Sequence, residues 1–385
     1  MDKVRIAIVA NAAFTILNFR FELIELLVAE GIKVLVVCPA TCGLMEGRDI
    51  AAEFSKMGVE FHPVDMVRSG TNPIKDLGYL RRLYQLFKKE SPDYVLNYTI
   101  KPTIYSSIAA RMAGATVCSN ITGIGYALTS RALKGKLVST FVVSLYRLAL
   151  RFNRSVFFQN PDDMGFFIEK GLVCAERAVV LNGSGINTDV FRRKRVFPAH
   201  CSFIFVGRLL RDKGIFEFIG AAKKFSAIYP SVRFSVVGQL DDNPESLSKN
   251  ELRKLSDGGV IDYLGAVSDV RPLLEQHQVL VLPSYREGTP RSVLEAMSLS
   301  MPIITTDAPG CRETVVDGEN GYLAAVQDEN SLFLCMKKMF ENQHLLKDMG
   351  RKSRQIALKK YDVTAVNQLI LSTLMNGASP LRERG

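Results

Sequence analysis

The stretch Pro283-Ser284-Tyr285-Arg286-Glu287-Gly288-Thr289-Pro290-Arg291-Ser292-Val293-Leu294-Glu295-Ala296-Met297 decides how this chain is read. It follows an apolar run, Val279–Leu282, that reads as a strand. Its first half is polar, contains Gly288, and reads as a loop. Thr289-Pro290 resembles an N-cap followed by proline at the first helical position, so a helix is expected from there. Val293, Leu294 and Met297 then point toward a core, and Glu295 falls in the second turn. A carboxylate placed there, near strand ends, can accept two hydrogen bonds from a ribose diol. Glu287, eight positions earlier, can approach sugar hydroxyls. The backbone N–H groups of Gly288 and Thr289 can help hold phosphate or sugar oxygens. Taken alone, Glu295 also reads as an ordinary solvated helix position.

Working outward, strand-like and helix-like segments alternate along the whole chain. In the first half, strands are expected at Val4–Ala10, Lys33–Cys38, Val59–Val64, Tyr94–Asn97, Thr116–Asn120, Ser155–Gln159 and Ala178–Leu181. In the second half they are expected at Ser202–Val206, Arg233–Val237, Ile261–Leu264, Val279–Leu282, Ile303–Thr306 and Tyr322–Ala324. Helices are expected over Ile16–Val28, Pro73–Lys89, Leu133–Arg154, Ile215–Ile228, Ser268–His277, Pro290–Ser300, Ser331–Glu341 and Leu345–Lys360. This is the pattern of an α/β chain with parallel, doubly wound sheets. At 385 residues the chain exceeds one core, so two domains are expected: 1–190 and 191–361. Residues 362–376 are expected to cross back to the first domain, and 377–385 to form a frayed tail. Ligands bind such sheets at the carboxyl ends of their strands, here in a cleft between the two domains.

Composition narrows the chemistry. The seven cysteines form no C-x-x-C pair, which argues against a metal site or a disulfide framework and for a reducing compartment. No GxGxxG follows the first strand, where Val9-Ala10-Asn11-Ala12-Ala13-Phe14 stands instead, so a nicotinamide-binding site is not expected. Asp241-Asp242 sits among turn residues and reads as solvated rather than metal-binding. The opening residues run straight into a strand and do not read as a signal peptide. No apolar run reaches the roughly 18 residues of a membrane span. A cytoplasmic location is expected.

Net charge is +10, and its distribution matters more than its sum. From Tyr94 to Pro161 there is no acidic residue, while Lys101, Arg111, Arg131, Lys134, Lys136, Arg147, Arg151 and Arg154 fall in the same stretch. Such a region attracts anions. Without a stacking or RNA-binding signature, nucleic acid is not the expected partner. The helix-like segment Leu133–Arg154, apolar with cations toward both ends, reads either as a partly buried helix or as an interfacial helix on anionic lipid.

A second loop carries the remaining chemistry. Phe205-Val206-Gly207-Arg208-Leu209-Leu210-Arg211-Asp212-Lys213-Gly214 leaves the first strand of the second half and precedes a helix. Gly207 permits a tight exit, Arg208 offers a planar fork of donors, and Lys213 offers a mobile point charge. With Gly214 at a helix start, the loop suits a diphosphate.

Glu287-x7-Glu295, Arg208 with Lys213, and Asp317-Gly318-Glu319-Asn320-Gly321-Tyr322-Leu323 together resemble the retaining glycosyltransferases of family 4, over nearly the whole chain. The resemblance implies the GT-B arrangement, two Rossmann-like domains facing a central cleft. It implies that Arg208 and Lys213 bind the diphosphate of a UDP-sugar, that Glu295 binds its ribose, and that Glu287 binds the transferred sugar. Asn182–Phe191 is similar to the family's interdomain segment, with Asn187 where an Asp is frequent. Asn11–Arg20, Tyr98–Tyr105 and Asn120–Tyr126 look like acceptor-side loops of a bacterial surface-polysaccharide branch. That branch includes N-acetylhexosaminyltransferases acting on undecaprenyl diphosphate.

From that branch Asn18, Arg20, Lys101, Gly123 and Gly125 are implied on the acceptor side, with Arg131 near the lipid phosphates. Lys101 stands where many relatives carry His, and a lysine is a poor base unless desolvated. This fits the retaining reaction that the resemblance implies, with the leaving diphosphate assisting attack and Glu287, Lys101, Arg208 and Lys213 as the catalytic set. No metal or cofactor is expected beyond the UDP-sugar donor, because the cations supply the charge. The acceptor implied is a polyprenyl-diphosphate-linked saccharide, met peripherally at the cytoplasmic membrane face through the basic first domain. Two rivals are weighed: a UDP-sugar 2-epimerase of the same fold, disfavoured by only four histidines, and a non-catalytic nucleotide-sugar or membrane-binding partner.

Overall fold

The computed structural model describes residues 3–40, 47–67, 72–124, 133–240 and 246–376. Gly125, Arg131, Asp241 and Asp242 lie outside the described residues. The chain divides into two compact units. One takes the described residues up to Ser184 and those from Thr364 onward; the other runs Gly185–Val363. Residues 185–190, expected with the first domain, thus group with the second.

The first unit is a parallel sheet of seven strands among the described residues: β1 (Arg5–Val9), β2 (Lys33–Cys38), β3 (Glu60–Pro63), β4 (Tyr94–Tyr98), β5 (Thr116–Ile121), β6 (Asn153–Phe158) and β7 (Ala178–Val180). Their order is β3-β2-β1-β4-β5-β6-β7. The second unit has β8 (Ser202–Val206), β9 (Arg233–Val237), β10 (Asp262–Tyr263), β11 (Val279–Leu282), β12 (Ile303–Thr306) and β13 (Gly321–Ala324). Their order is β10-β9-β8-β11-β12-β13, again parallel. In each sheet the order reverses once, at β1/β4 and at β8/β11. That reversal opens a crevice at the carboxyl ends of the two strands, where open α/β sheets bind ligands.

The inner strands are short, largely buried runs, as in parallel sheets covered on both faces. All five residues of β8 and all four of β11 are buried. The helix Ile215–Ile228 explains the fit on one face. It buries Ile215, Phe218, Ile219, Ala222 and Phe225 at helical spacing, and Phe225 meets Phe203 of β8 and Phe234 of β9 edge to face. Truncating a fully buried Phe of this kind costs about 3–5 kcal/mol.

Three helices depart from expectation by several residues. The segment expected as one helix over Ile16–Val28 is two, Ala13–Phe19 and Phe21–Ala29. The break is Arg20, whose backbone leaves helical values at φ −133°, ψ 8°, and whose guanidinium lies over the Tyr98 ring at 4.2 Å. The basic helix ends at Leu150, and Arg154 belongs to β6. Arg154 donates to the carbonyls of Thr373, at 2.6 Å, and Leu374. It thereby caps the final helix Val363–Met375, a favourable place for a cation. The segment Ser268–His277 yields only one helical turn, Arg271–Leu274, because Asp269 accepts from the Arg271 N–H and starts the helix late.

Candidate functional site

At the β8/β11 crevice two loops converge. The first leaves β8 through Gly207 and the exposed Arg208 and forms a 3₁₀ turn over Arg211–Lys213. Gly214 then starts the helix Ile215–Ile228 at φ +74°. A Cβ there would lie 2.1 Å from the Pro283 carbonyl oxygen, so only glycine lets this loop approach the one after β11. The second loop, Pro283–Thr289, is tied to the first by the Tyr285 N–H donating to the Asp212 carbonyl at 2.8 Å. The Tyr285 hydroxyl also donates to Glu217 at 2.7 Å. Burial and that carboxylate raise the phenol well above its usual range.

These ties bring two sequence-identified residues into contact. Lys213 Nζ lies 2.5 Å from Glu287 Oε1, with side chains 18% and 14% exposed. The buried Ser284 hydroxyl donates to the same oxygen at 2.7 Å. Beneath them the Cys311 thiol is pushed up to about 12, by burial first and by the Glu287 charge second.

The helix with Glu295 begins one residue later than expected. Pro290, with ψ 115°, is the N-cap, and its carbonyl accepts from the N–H groups of Val293 and Leu294. The Thr289 hydroxyl donates to the Gly288 carbonyl at 3.0 Å. Glu295 is therefore the fifth helical residue of Arg291–Ser298, on a side opposite the buried Val293, Leu294 and Met297. Its carboxylate accepts from Arg291 Nε at 3.3 Å and is 15% exposed. Burial raises its pKa, while Arg291 pulls it back; Asp269 raises it further and Arg271 lowers it.

In the first unit, Lys101 follows β4 and pairs with Asp76 of the helix Pro73–Glu90 at 2.7 Å, both side chains largely buried. The Tyr105 hydroxyl donates to the other Asp76 oxygen at 3.0 Å. Lys101 is thus held by a carboxylate that sequence reasoning did not connect with it. Arg20 is buried over Tyr98. Asn18 is exposed and donates back to the Phe14 carbonyl at 2.9 Å. Gly123 has φ +142°.

Sequence reasoning passed over Ser284, Arg291, Asp269 and Arg271. Of these, only Arg291 carried a signal, its i,i+4 spacing to Glu295. Glu60, His62 and Glu90 lie close enough together to hold an ion. Lys33 and Arg5 already pair with these carboxylates, at 2.6 Å to Glu60 and 2.9 Å to Glu90.

Residues 190–356 match the family described as "Glycosyl transferases group 1", and residues 19–183 match "Glycosyl transferase 4-like domain". A relative from Campylobacter jejuni is named N,N'-diacetylbacillosaminyl-diphospho-undecaprenol alpha-1,3-N-acetylgalactosaminyltransferase. It is 26% identical over 95% of this chain and 97% of its own. An Escherichia coli relative, UDP-Gal:alpha-D-GlcNAc-diphosphoundecaprenol alpha-1,3-galactosyltransferase, is 28% identical over 75% of this chain and 77% of its own. The crystal structure of Anabaena HepE in complex with UDP superposes with a TM-score of 0.77 at 18% identity, over 97% of this chain and 100% of that one. The chain is thus a glycosyltransferase of GT-B fold, with a 4-like domain on the first parallel Rossmann-like unit and a group 1 domain on the second.

Proposed function

We propose that this enzyme transfers N-acetylgalactosamine, or another N-acetylhexosamine, from its UDP-sugar to an undecaprenyl-diphosphate-linked saccharide, with retention of configuration. The observation that carries this reading is the Lys213–Glu287 pair at the β8/β11 crevice, its lysine on the loop that also carries Arg208. A diphosphate placed there meets two cations, and the transferred sugar meets Glu287. Glu295 takes the ribose. As the sugar–phosphate bond breaks, negative charge grows on UDP, and Arg208 and Lys213 stabilise it. The leaving diphosphate oxygen takes the proton of the attacking hydroxyl, so the departing group and the nucleophile share one face. Both relatives' names describe α-linked products, which from α-configured UDP-sugars means retention.

The acceptor half rests on the relative matched over nearly the full length of both chains. Arg20, Lys101 and Gly123, near the carboxyl ends of β4 and β5 or just beyond the first helix, are our candidates for acceptor contact. Asn18, exposed on that first helix, completes the set. Peripheral membrane contact is part of the same reading. Among the described residues no helix is long and apolar enough to cross a membrane. The helix Leu133–Leu150 exposes Phe141 and Leu148, suited to lie at an interface. Incubating the purified enzyme with a panel of radiolabelled UDP-sugars and a membrane lipid extract tests the proposal. Label from a UDP-N-acetylhexosamine should enter the lipid fraction. No lipid-borne label with any donor would sink the acceptor half.

A further inference from the structure

Arg291 occupies a place that helix energetics disfavours. It is the first residue of the helix Arg291–Ser298, where the positive end of the backbone dipole repels a cation. It also precedes Glu295, the weaker order for an i,i+4 ion pair. Neither choice serves helix stability. Its contacts show what it does serve. Nε lies 3.3 Å from Glu295 Oε1, and Nη1 donates to the Gly185 carbonyl at 3.0 Å. The guanidinium sits 6.0 Å over the Phe191 ring, and the side chain is 19% exposed.

Gly185 is itself tightly fixed. At φ +74°, a Cβ on it would lie 2.6 Å from Val363 Cα. The next residue, Ile186, donates its N–H to the Tyr361 carbonyl at 2.7 Å and accepts from the Val363 N–H at 3.0 Å. Arg291 therefore hangs from a rigid backbone junction on one side and holds a carboxylate on the other.

We propose that Arg291 is a positioning residue for the donor: anchored on the Gly185 carbonyl, it orients the Glu295 carboxylate and keeps it ionised for the ribose diol. The inference rests on the reading of Glu295 as the ribose acceptor. A neutral carboxyl group has one oxygen committed as a donor; an ionised one accepts on both oxygens, as two vicinal hydroxyls require. The charged groups facing Glu295 are Arg291 on its own helix and Asp269 with Arg271 at the start of the helix Arg271–Leu274. Asp269 and Arg271 bond each other at 2.8 Å and 2.9 Å and largely cancel, which leaves Arg291 as the cation that decides.

Calorimetric binding of UDP and of 2′-deoxy-UDP, repeated across mildly acidic to neutral pH, tests this on the whole enzyme. The parent should prefer UDP by about tenfold, the worth of a charge-assisted hydrogen bond. R291M should lose most of that preference, and its UDP affinity should fall off at higher pH than the parent's. R291K should recover part of both. Melting curves of each variant accompany the titrations, so that R291K carries the test if R291M does not fold. If R291M keeps the parent's preference and acid limb while E295Q loses the preference, the Arg291 proposal fails alone. If E295Q also keeps it, the ribose reading fails and takes this inference with it.

Discussion

Lys213 and Glu287, 74 residues apart in the chain, form an ion pair of 2.5 Å at the crevice between β8 and β11. The residue types suit one to a diphosphate and the other to sugar hydroxyls, and the family resemblance implies those roles toward the donor. The structure shows that they also hold each other, with Ser284 fixing the carboxylate oxygen they share. In the proposed function, a donor diphosphate would compete with Glu287 for the ammonium. We predict that K213A lowers kcat/KM for the donor about 10²–10³-fold, the usual cost of removing one preorganised group facing developing charge. Initial rates against donor concentration check it; a change within twofold would remove Lys213 from the mechanism.

Gly310 controls where that carboxylate stands. It has φ +81°, and a Cβ on it would lie 2.1 Å from the Glu287 carbonyl oxygen. We expect G310A to destabilise the fold by about 1–3 kcal/mol from backbone strain, and to lower kcat by displacing the Glu287 loop. Urea unfolding and turnover should fall together. Unchanged turnover in a destabilised variant would mean that the loop position is not critical.

The Asp317–Leu323 segment, one carrier of the family resemblance, has a structural explanation. Asn320 is fully buried; its oxygen accepts from the Val316 N–H at 2.8 Å, and its amide donates to the Thr314 carbonyl at 3.1 Å. N320A leaves those partners unsatisfied, at about 1–3 kcal/mol each. The urea midpoint should drop, and donor KM should stay within about twofold because the packing, not the ligand, is affected. A rise in KM with an unchanged midpoint would reverse this assignment.

His277 makes stability depend on pH. It is buried, its Nδ1–H donates to the Leu273 carbonyl at 2.7 Å, and Nε2 lies 2.8 Å from the Ser235 hydroxyl. Burial lowers its pKa below 6.5, so below that value the unfolded chain binds a proton that the folded one resists. The stability this contributes is complete above pH 6.5 and is lost as pH falls toward the folded value. Melting temperature measured from neutral pH downward should decline through that window, and the decline should flatten in H277N. An identical slope in H277N would place the sensitivity elsewhere.

In the first unit, Asp76 and Lys101 test whether the lysine is held for chemistry or for packing. Their side chains are 8% and 14% exposed. D76A leaves a buried cation unpaired, and should cost about 3–5 kcal/mol. K101A should raise acceptor KM more than donor KM if the lysine meets the acceptor. Equal effects on both, or none, would leave Lys101 a structural partner of Asp76.

The architecture was largely legible, and particular residues show why. β8 and β11 are continuous apolar runs, and such runs in alternation with amphipathic helices admit few folds other than a parallel sheet. The helix Ile215–Ile228 carries its apolar stripe in the residues themselves. The helix breaks were less legible. Nothing local to Arg20 announces that it interrupts a helix; its partner, the Tyr98 ring, comes from β4. Arg154 likewise reads as one more cation of a basic helix until the final helix brings the Thr373 and Leu374 carbonyls to it.

The sequence by itself determined the two α/β units, where the loops after β8 and β11 fall, and the residue types on them that suit a nucleotide-sugar. Local patterns carry these, because strand and helix periodicity and loop chemistry are properties of neighbouring residues. Only the tertiary structure decided the pairings: Lys213 with Glu287, Lys101 with Asp76, and Arg291 with the Gly185 carbonyl. Most of these partners are distant in sequence, and a charged side chain reaches any partner that packing brings within about 4 Å. Which carboxylate a cation holds is therefore set by how the strands order themselves in the sheet, not by the residues on either side of it.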